Sequence, residues 1–472
     1  MKGSRQEAMD DIASRVIRGG AVPCVLGALV LLAWGRMLGG GLVSDDWVWL
    51  ERARTGMVLE PGLFFRPGCW CSWRLQADGR PGIVHLVDLA LHWACGWQLA
   101  RLAGLLSRNM VAGFAAAAVF VTWPALHETV CWSSARCGPL AAACVLAAMT
   151  AVLSRRGRAL ALPLLVCALA GHESALALMW GLPLLALARG NRKDAFLWSG
   201  ILVGLTLAYA AAVHATGAHA RLSGGYSVPF NLRRTLAHLG GYVGLAMGRE
   251  GTAAAWPVWP ALGTVAAWGA LRGRWVFLAV WVWASVTMIP FIRLGGPDQP
   301  RFLYVMALPV MVGIGCALEL VRWRHLRVAA VAAALSLSLV NSPQAWAFCR
   351  EWKAAGMRVM TVVSQAARAF PQDRPAIAVN TLEWEGRAHV LRNGLFPALR
   401  LVTGAPYRGV SIPGSQSIRT GGELVAWLGR NAPSFLEDSR VGAWLFTGDD
   451  MCRLRGWREP SASGMSLERL CE

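Results

Sequence analysis

The segment AVPCVLGALVLLAWGRMLGGGLVSDDWVWL, residues 21–50, joins a long apolar run to two adjacent carboxylates. A helix needs roughly 20 apolar residues to cross about 30 Å of hydrocarbon. The run from Ala21 to Val43 therefore predicts a first membrane span, and Asp45 and Asp46 lie where that span emerges. Further apolar runs of similar length follow along the chain, and they decide the fold class.

Composition indicates that most of the chain lies in a membrane. Of the 472 residues, 55% are hydrophobic and 15% are charged, and the mean hydropathy is +0.43. The net charge of +19 does not indicate a nucleic-acid partner, because the basic residues cluster in short segments between apolar runs, as in cytoplasmic loops. The clusters are Arg155, Arg156 and Arg158; Arg189, Arg192 and Lys193; and Arg322, Arg324 and Arg327. We predict a multi-pass protein embedded in the lipid bilayer, with a cytoplasmic N-terminus.

The apolar runs predict an all-α polytopic membrane bundle of about eleven transmembrane helices, followed by a small C-terminal α/β extramembrane domain. The segment 231–248 can be counted as a span or as an interfacial or re-entrant helix. We adopt the second count because it keeps the later basic clusters on the cytoplasmic side. The predicted membrane domain is 1–342, with interfacial helices in an external loop at 44–81, and the extracytoplasmic domain is 343–472.

Patterning also predicts elements around and inside the C-terminal domain. The last span, at about 325–341, should be followed by a separate amphipathic helix. The predicted elements are that helix at about 345–369, strands at 376–379 and 444–447, helices near 393–403 and 421–430, and a hairpin turn at Asp449-Asp450.

Twelve cysteines are spread along the chain without the paired spacing of a zinc site. Cys69 and Cys71 lie in one predicted external loop, and Cys131 and Cys137 lie in another. A disulfide within either loop is one alternative, and buried thiols are the other.

The predicted second span carries polar residues on one helical face. His85, Asp88 and His92 are three and four residues apart, so their side chains should point into the protein rather than towards lipid. We interpret His85 and His92 as polar packing inside the bundle rather than as catalytic groups.

Ionisable residues also gather in short loops that are predicted to share the external side with Asp45. They are Arg66, Glu128, Arg136, His172, Glu173 and Arg301. A carboxylate can take the proton from an acceptor hydroxyl, and arginines can hold a departing phosphate. This chemistry suits sugar transfer from a lipid-linked phosphate. The alternative for the acidic pair is that one aspartate caps the next helix and the other faces water. For each other residue the alternative is ion pairing that joins the loops.

Several motifs in a fixed order carry a resemblance to a known superfamily. They are the acidic pair, Phe64-Phe65-Arg66-Pro67, the His-rich span at 84–92, Glu128-Thr129-Val130-Cys131-Trp132-Ser133-Ser134-Ala135-Arg136, His172-Glu173-Ser174 and Arg301-Phe302-Leu303-Tyr304. Over about residues 20–340, this set resembles the GT-C superfamily of polyprenyl-phosphate-sugar-dependent glycosyltransferases. Within that superfamily, the set resembles bacterial proteins akin to protein O-mannosyltransferases, including the transmembrane-and-TPR type.

The resemblance implies an inverting hexosyltransferase in a bacterial inner (cytoplasmic) membrane. Its donor would be a polyprenyl-phosphate sugar, and its acceptor a protein, a lipid or an envelope glycan. By analogy, Asp45, Asp46 and Glu128 are the catalytic residues. The substrate- and phosphate-binding residues are Arg66, Arg136, His172, Glu173 and Arg301. We expect no obligatory metal, although Asp45 and Asp46 could hold a divalent cation.

Two other classes of function remain open at this point. A transporter or flippase for a lipid-linked or anionic solute would use a similar number of spans. Such proteins usually show paired repeats and broken helices near the membrane midplane, and this sequence shows no internal repeat. A non-catalytic scaffold of GT-C type is the third possibility.

Overall fold

A computed structural model gives the fold of most of the chain. It describes residues 21–56, 65–76, 80–155, 157–216, 231–246, 255–294, 300–319, 324–391, 394–416, 418–447 and 450–471. The α-helices in chain order are α1 (Ala21–Trp34), α2 (Asp45–Thr55), α3 (Pro67–Arg74), α4 (Pro81–Ser107), α5 (Met110–Thr122), α6 (His127–Cys131), α7 (Cys137–Leu153), α8 (Ala161–Gly171), α9 (Ala175–Met179), α10 (Gly181–Ala188), α11 (Arg192–Ala215), α12 (Leu232–Ala246), α13 (Val258–Leu271), α14 (Trp275–Leu294), α15 (Leu303–Glu319), α16 (Arg324–Ala369), α17 (Leu395–Thr403), α18 (Gly421–Asn431) and α19 (Ser434–Glu437). The strands are β1 (Ala376–Thr381), β2 (Trp384–Glu385), β3 (Ala388–His389), β4 (Gly409–Pro413), β5 (Gly442–Thr447) and β6 (Asp450–Leu454).

The chain divides into two compact units. The bundle unit comprises Met1–Arg36, Val58–Ser72 and His85–Ala347, and the C-terminal unit comprises Met37–Met57, Trp73–Val84 and Phe348–Glu472. The break between Ala347 and Phe348 is close to the predicted boundary at 342. The C-terminal unit also takes in the acidic pair, which the sequence-based boundaries assign to the membrane domain.

Several helices are long and apolar enough to cross a membrane. Among the described residues, five meet this criterion by length and composition, and a sixth is added if α5 and the helical stretch after it are one span bent by 57°. The five are Ala21–Gly39, Ser133–Leu153, Arg192–Ala215, Pro300–Leu318 and Val328–Ala369. The protein is therefore a mainly helical, membrane-type protein with a small sheet near its C-terminus. The count of eleven spans stays a prediction.

Helix α15 lies at the centre of the bundle unit, where it packs against α5, α7 and α14. The buried side of α5 is rich in alanine, including Ala115, Ala116, Ala117 and Ala118. Small residues let membrane helices approach closely, because dispersion contacts rather than the hydrophobic effect hold them together in lipid.

The polar face of α4 points into the protein, as predicted. His85, Asp88 and His92 are all buried. Both ring nitrogens of His92 have partners: Nδ1 lies 2.9 Å from the Tyr304 hydroxyl, and Nε2 lies 3.0 Å from the Val121 carbonyl oxygen. His92 is thus polar packing, as the sequence indicated.

Helix α16 differs from the prediction of two separate helices. It is continuous for 46 residues, with Pro343 inside it. Proline removes one backbone donor from a helix, but here the helix continues on both sides of it. The predicted break after residue 341 is wrong.

The C-terminal unit contains a four-stranded sheet in the order β4-β1-β5-β6. Strand β1 pairs parallel with β4 and with β5, while β5 pairs antiparallel with β6. The predicted strands at 376–379 and 444–447 are confirmed. The first of them is the central strand β1, and the second is most of β5. The predicted hairpin is present too, since Thr447 pairs with Asp450; Asp449 lies outside the described residues.

The sheet and helix α18 share an apolar core. Ile377, Val379 and Leu445 from the strands pack with Leu424 and Leu428 from α18. A capping box begins this helix: Thr420 Oγ1 accepts the Glu423 N–H at 3.2 Å, and Glu423 Oε2 accepts the Thr420 N–H at 3.1 Å. The predicted helices near 393–403 and 421–430 are confirmed as α17 and α18. A disulfide between Cys452 and Cys471 joins β6 to the end of the chain.

Candidate functional site

The predicted site residues fall into the two units. The bundle unit holds Arg66, Glu128, Arg136, His172, Glu173 and Arg301, and the C-terminal unit holds Asp45 and Asp46.

Glu128 and Thr129, on the short helix α6, hold Arg301 in place. Glu128 Oε1 accepts a hydrogen bond from Arg301 Nη1, and Oε2 accepts one from the Arg301 backbone N–H, both at 2.8 Å. Thr129 Oγ1 donates to the Arg301 carbonyl oxygen at 3.0 Å. Glu128 is almost fully buried, and both of its carboxylate oxygens are engaged. The arrangement fixes the backbone and the side chain of Arg301 together.

Aromatic rings flank the same guanidinium. Arg301 Cζ lies 5.2 Å from the centre of the Trp132 ring and 5.1 Å from that of Phe302. Cation–π attraction at these distances stabilises the charge, and 23% of the Arg301 side chain remains exposed. Arg301 is therefore a rigidly held cation that an anion can still reach.

Arg66 and Glu173 form a second ion pair in the bundle unit. Arg66 Nε donates to Glu173 Oε2 at 2.8 Å, and its Nη2 donates to Oε1. This fork geometry is the strong form of an arginine–carboxylate contact. The side chains are 14% and 32% exposed. The ion-pairing alternative considered for these loops is therefore realised between Arg66 and Glu173, with both groups at an accessible edge.

His172 interacts electrostatically with residues of both ion pairs, namely Arg66, Glu173 and Arg301. It follows α8, and its Nδ1 accepts the Ser174 N–H at 3.0 Å, so the neutral ring carries its proton on Nε2. Burial, and then the positive charges of Arg66 and Arg301, lower the pKa of His172 to about 4. Burial raises the pKa of Glu173, but the Arg66 guanidinium outweighs this effect and the net pKa falls to about 2. At neutral pH the His172 imidazole is therefore neutral and the Glu173 carboxylate is ionised.

These shifts predict how stability depends on pH. Between about pH 6.5 and 4, the unfolded chain protonates His172 while the folded protein does not, so stability should fall as the pH falls. Below about pH 4.5, the Glu173 carboxylate resists protonation only in the folded state, so stability should fall further towards pH 2. Thermal unfolding of the protein in detergent, followed by tryptophan fluorescence across this range, checks the expectation. His172→Gln should flatten the curve between pH 6.5 and 4 relative to the parent protein; identical curves would contradict it.

Arg136 lies in a third, fully buried network. Its Nε lies 2.9 Å from Asp88 Oδ1, and Ser133 Oγ donates to Asp88 Oδ2 at 2.5 Å. His85 Nδ1 is 3.3 Å from the same hydroxyl. The Arg136 and Asp88 side chains are 0% and 3% exposed. Of the predicted phosphate-binding arginines, Arg136 is thus the one enclosed in the protein, and its partners Asp88 and Ser133 were given no role from the sequence.

A disulfide joins two loops that the sequence predicts to be external. It joins Cys69, on α3, to Cys137, at the start of α7. Cys71 and Cys131 are thiols, so the disulfide is neither of the two within-loop pairs considered from the sequence. The bond connects the segment just after Arg66 to the segment just after Arg136.

In the C-terminal unit, the two aspartates at the start of α2 have different surroundings. Asp46 is fully buried, and its Oδ2 accepts the Val43 N–H at 3.1 Å. Asp45 is partly exposed. Asp46 holds the chain as it enters the helix, while the N-cap residue, Ser44, makes no side-chain capping bond. Asp45 has the exposure that a proton acceptor for substrate requires.

Ser44, directly before the pair, has an unusual backbone conformation. Its φ is 46° and its ψ is −121°, a region that glycine adopts readily and other residues do not. Strained residues of this kind persist only where surrounding contacts fix them. Its N–H donates to the Val390 carbonyl oxygen at 2.7 Å.

No protein-family model matches this chain, and no curated protein is significantly similar to it.

Within the described stretches, no group of three or more His, Cys, Asp or Glu side chains is arranged to hold an ion. The expectation that Asp45 and Asp46 work without an obligatory metal stays a prediction.

Proposed function

We propose that the protein is an integral membrane glycosyltransferase that moves a sugar, with inversion, from a polyprenyl-phosphate donor to a protein, lipid or envelope-glycan acceptor. The observation that carries the proposal is Arg301, a partly exposed guanidinium whose backbone and side chain are both fixed by Glu128 and Thr129. A phosphate leaving group needs a preorganised cation of this kind, because the charge that develops on it must be met without rearrangement.

The bundle unit supplies the donor side of the proposed reaction. Arg301 and Arg66 would hold the donor phosphate. Glu128 acts through Arg301 as a positioning residue, because its oxygens are already engaged. The buried ion pair of Asp88 and Arg136 supports the loop that carries Trp132. These assignments retain the predicted residues but divide them into phosphate-binding and positioning roles.

Asp45 would activate the acceptor. As general base, its carboxylate would take the proton from the acceptor hydroxyl, whose oxygen attacks the anomeric carbon of the donor. The bond from that carbon to the phosphate oxygen breaks, and polyprenyl phosphate leaves. Asp46 keeps the start of α2 in place through its bond to Val43.

The contact between Glu128 and Arg301 also supports the topology adopted from the sequence. Residues in contact lie at the same end of the bundle helices, so an even number of crossings separates them. Six predicted spans lie between residues 137 and 292 when 231–248 does not cross; counting it would make the number odd. This parity favours the interfacial count of eleven spans.

A lipid-binding experiment tests the donor site without knowledge of the sugar or the acceptor. The protein in nanodiscs should bind undecaprenyl phosphate in preference to undecaprenol. Arg301→Ala should weaken binding of the phosphate by about 10- to 100-fold, since a charge-assisted hydrogen bond contributes about 1.5–3 kcal/mol. Native mass spectrometry or a competition assay measures the difference.

Arg272→Ala is the matched control, because Arg272 also stacks on an aromatic ring, that of Trp268, at 4.1 Å. It should bind the phosphate as the parent does. Equal binding of undecaprenyl phosphate and undecaprenol, or equal losses in the two variants, would sink the proposal. Comparison of envelope glycoconjugates from cells with and without the protein would then identify the transferred sugar.

A further inference from the structure

The acidic pair is fastened to the C-terminal α/β domain. The Ser44 N–H donates to the Val390 carbonyl oxygen. Val390 lies in the returning arm of a hairpin that leaves the carboxyl end of β1, since its own N–H donates to the Glu383 carbonyl oxygen at 2.9 Å. The residue before Asp45 is therefore bonded to the loop that follows the central strand of the sheet.

Two close backbone approaches reinforce this attachment. A side chain at Gly394 would collide with the carbonyl group of Ser44, so only glycine fits there. On the other side, Gly41 meets Gly356 of helix α16, where an added Cβ on Gly356 would lie 2.7 Å from the Gly41 Cα. The turn that leads into the acidic pair is thus held between α16 and the start of α17.

An ion pair fixes the body of α2 as well. Arg400 on α17 forks onto Glu51, with Nη2 donating to Oε2 at 2.8 Å and Nε donating to Oε1. Arg400 Nη1 also donates to the Tyr407 carbonyl oxygen at 2.7 Å, and the Tyr407 hydroxyl donates to the Ala367 carbonyl oxygen at 3.0 Å. These bonds join α2, α17 and α16 in one chain of contacts.

The attachment lies at the edge of the sheet where α/β folds bind ligands. Strand β1 has parallel neighbours on both sides, β4 and β5, and the chain visits them in that order. The connections from β1 and from β4 therefore run in opposite directions across the sheet. Ligands of open α/β sheets bind outside the carboxyl ends of the strands at such a reversal.

We propose that the C-terminal α/β domain positions the Asp45 carboxylate and contributes the binding surface for the acceptor, with Arg400 and Gly394 as positioning residues. The inference rests on the proposed function. A general base must come within about 2.6–3.2 Å of the hydroxyl that it deprotonates. An acceptor that reaches Asp45 must accordingly meet the elements packed around it, which are the β1 hairpin and α17.

Charge reversal at the Glu51–Arg400 pair tests the positioning. In the full-length protein in nanodiscs, Arg400→Glu should raise hydrogen exchange of the α2 amides at least about tenfold and change the reactivity of Asp45 towards a water-soluble carbodiimide. The double variant Glu51→Arg with Arg400→Glu should restore both readouts, and Arg400→Lys should restore them in part. Arg440→Glu is the control in the same domain, because exposed Arg440 pairs with partly exposed Asp438; it should leave α2 unchanged.

The outcomes separate this inference from the proposed function. Unchanged α2 exchange in Arg400→Glu, or no restoration in the double variant, overturns the positioning role. A different pair of results would leave the attachment intact and refute the proposed chemistry. They are restored α2 protection in the double variant and full sugar transfer by an Asp45→Asn variant. The assignment of an acceptor surface would then fail too.

Discussion

Asp45→Asn is expected to lower sugar transfer by about 10²- to 10⁴-fold, the usual contribution of a positioned general base. The amide cannot accept the proton of the acceptor hydroxyl, while its size and hydrogen-bonding geometry are nearly those of the carboxylate. Because Asp45 is partly exposed, this substitution should leave the fold intact, and a loss of transfer would reflect the lost general base. The measurement uses a panel of radiolabelled undecaprenyl-phosphate hexoses, with the envelope fraction of cells lacking the protein as the acceptor source.

Asp46→Asn is the neighbouring control. Asp46 is buried and accepts the Val43 N–H, so this variant should lower thermal stability and reduce transfer only as far as folded protein is lost. Binding of undecaprenyl phosphate, which is assigned to Arg301 and Arg66, should survive in both variants. Full transfer activity in Asp45→Asn, or the larger catalytic loss in Asp46→Asn, would show that the roles of the two aspartates have been misassigned.

Asp88→Ala is expected to lower the free energy of unfolding by about 3–5 kcal/mol, the usual cost of removing one partner of a buried ion pair. The Arg136 guanidinium would remain buried without its carboxylate, and the Ser133 hydroxyl would lose its acceptor. Equilibrium unfolding of detergent-solubilised protein in increasing SDS, followed by tryptophan fluorescence, measures the change.

Two further variants sharpen this test. Asp88→Leu combined with Arg136→Met removes both charges and should recover most of the lost stability, because a buried pair can be replaced by apolar groups at little cost. Arg440→Ala breaks the exposed pair with Asp438 and should have little effect. If Asp88→Ala unfolds at the same SDS concentration as the parent, the network is not a structural support.

Local patterns predicted much of the fold. Apolar runs identified the helices of the bundle, and the spacing of His85, Asp88 and His92 identified the buried face of α4. In the C-terminal domain, short strand-like runs predicted β1 and β5. These features depend on residues close together in the sequence, which is where periodicity and propensity carry information.

The contacts that define the candidate site depend on residues far apart in the chain. Glu51 and Arg400 are separated by 349 residues, and nothing around either one indicates the other. The same holds for Asp88 with Arg136 and for Cys69 with Cys137. Charge composition indicated that ions would pair, but only the packing of α3, α4 and α7 decides which ones. The difference between Asp45 and Asp46 is likewise one of burial, which two adjacent identical residues do not reveal.

Helix α16 shows a third reason why a local sequence pattern can fail to predict the structure. The change from apolar to polar residues after Asn341 favoured a break, and Pro343 lies close to that point. The 46-residue helix continues because its later half packs into the C-terminal unit through residues such as Phe348, Trp352 and Val359, which are buried. Tertiary packing here overrides a local signal.

The Cys69–Cys137 bond sets an order of events during biosynthesis. Its cysteines are 68 residues apart, so it can close only after the chain from α3 to the beginning of α7 has been synthesised. Oxidation of this kind belongs to compartments outside the reducing cytosol. Expression under reducing conditions should therefore leave Cys69 and Cys137 as thiols and these two loops untethered, which makes the choice of expression host part of obtaining a mature protein.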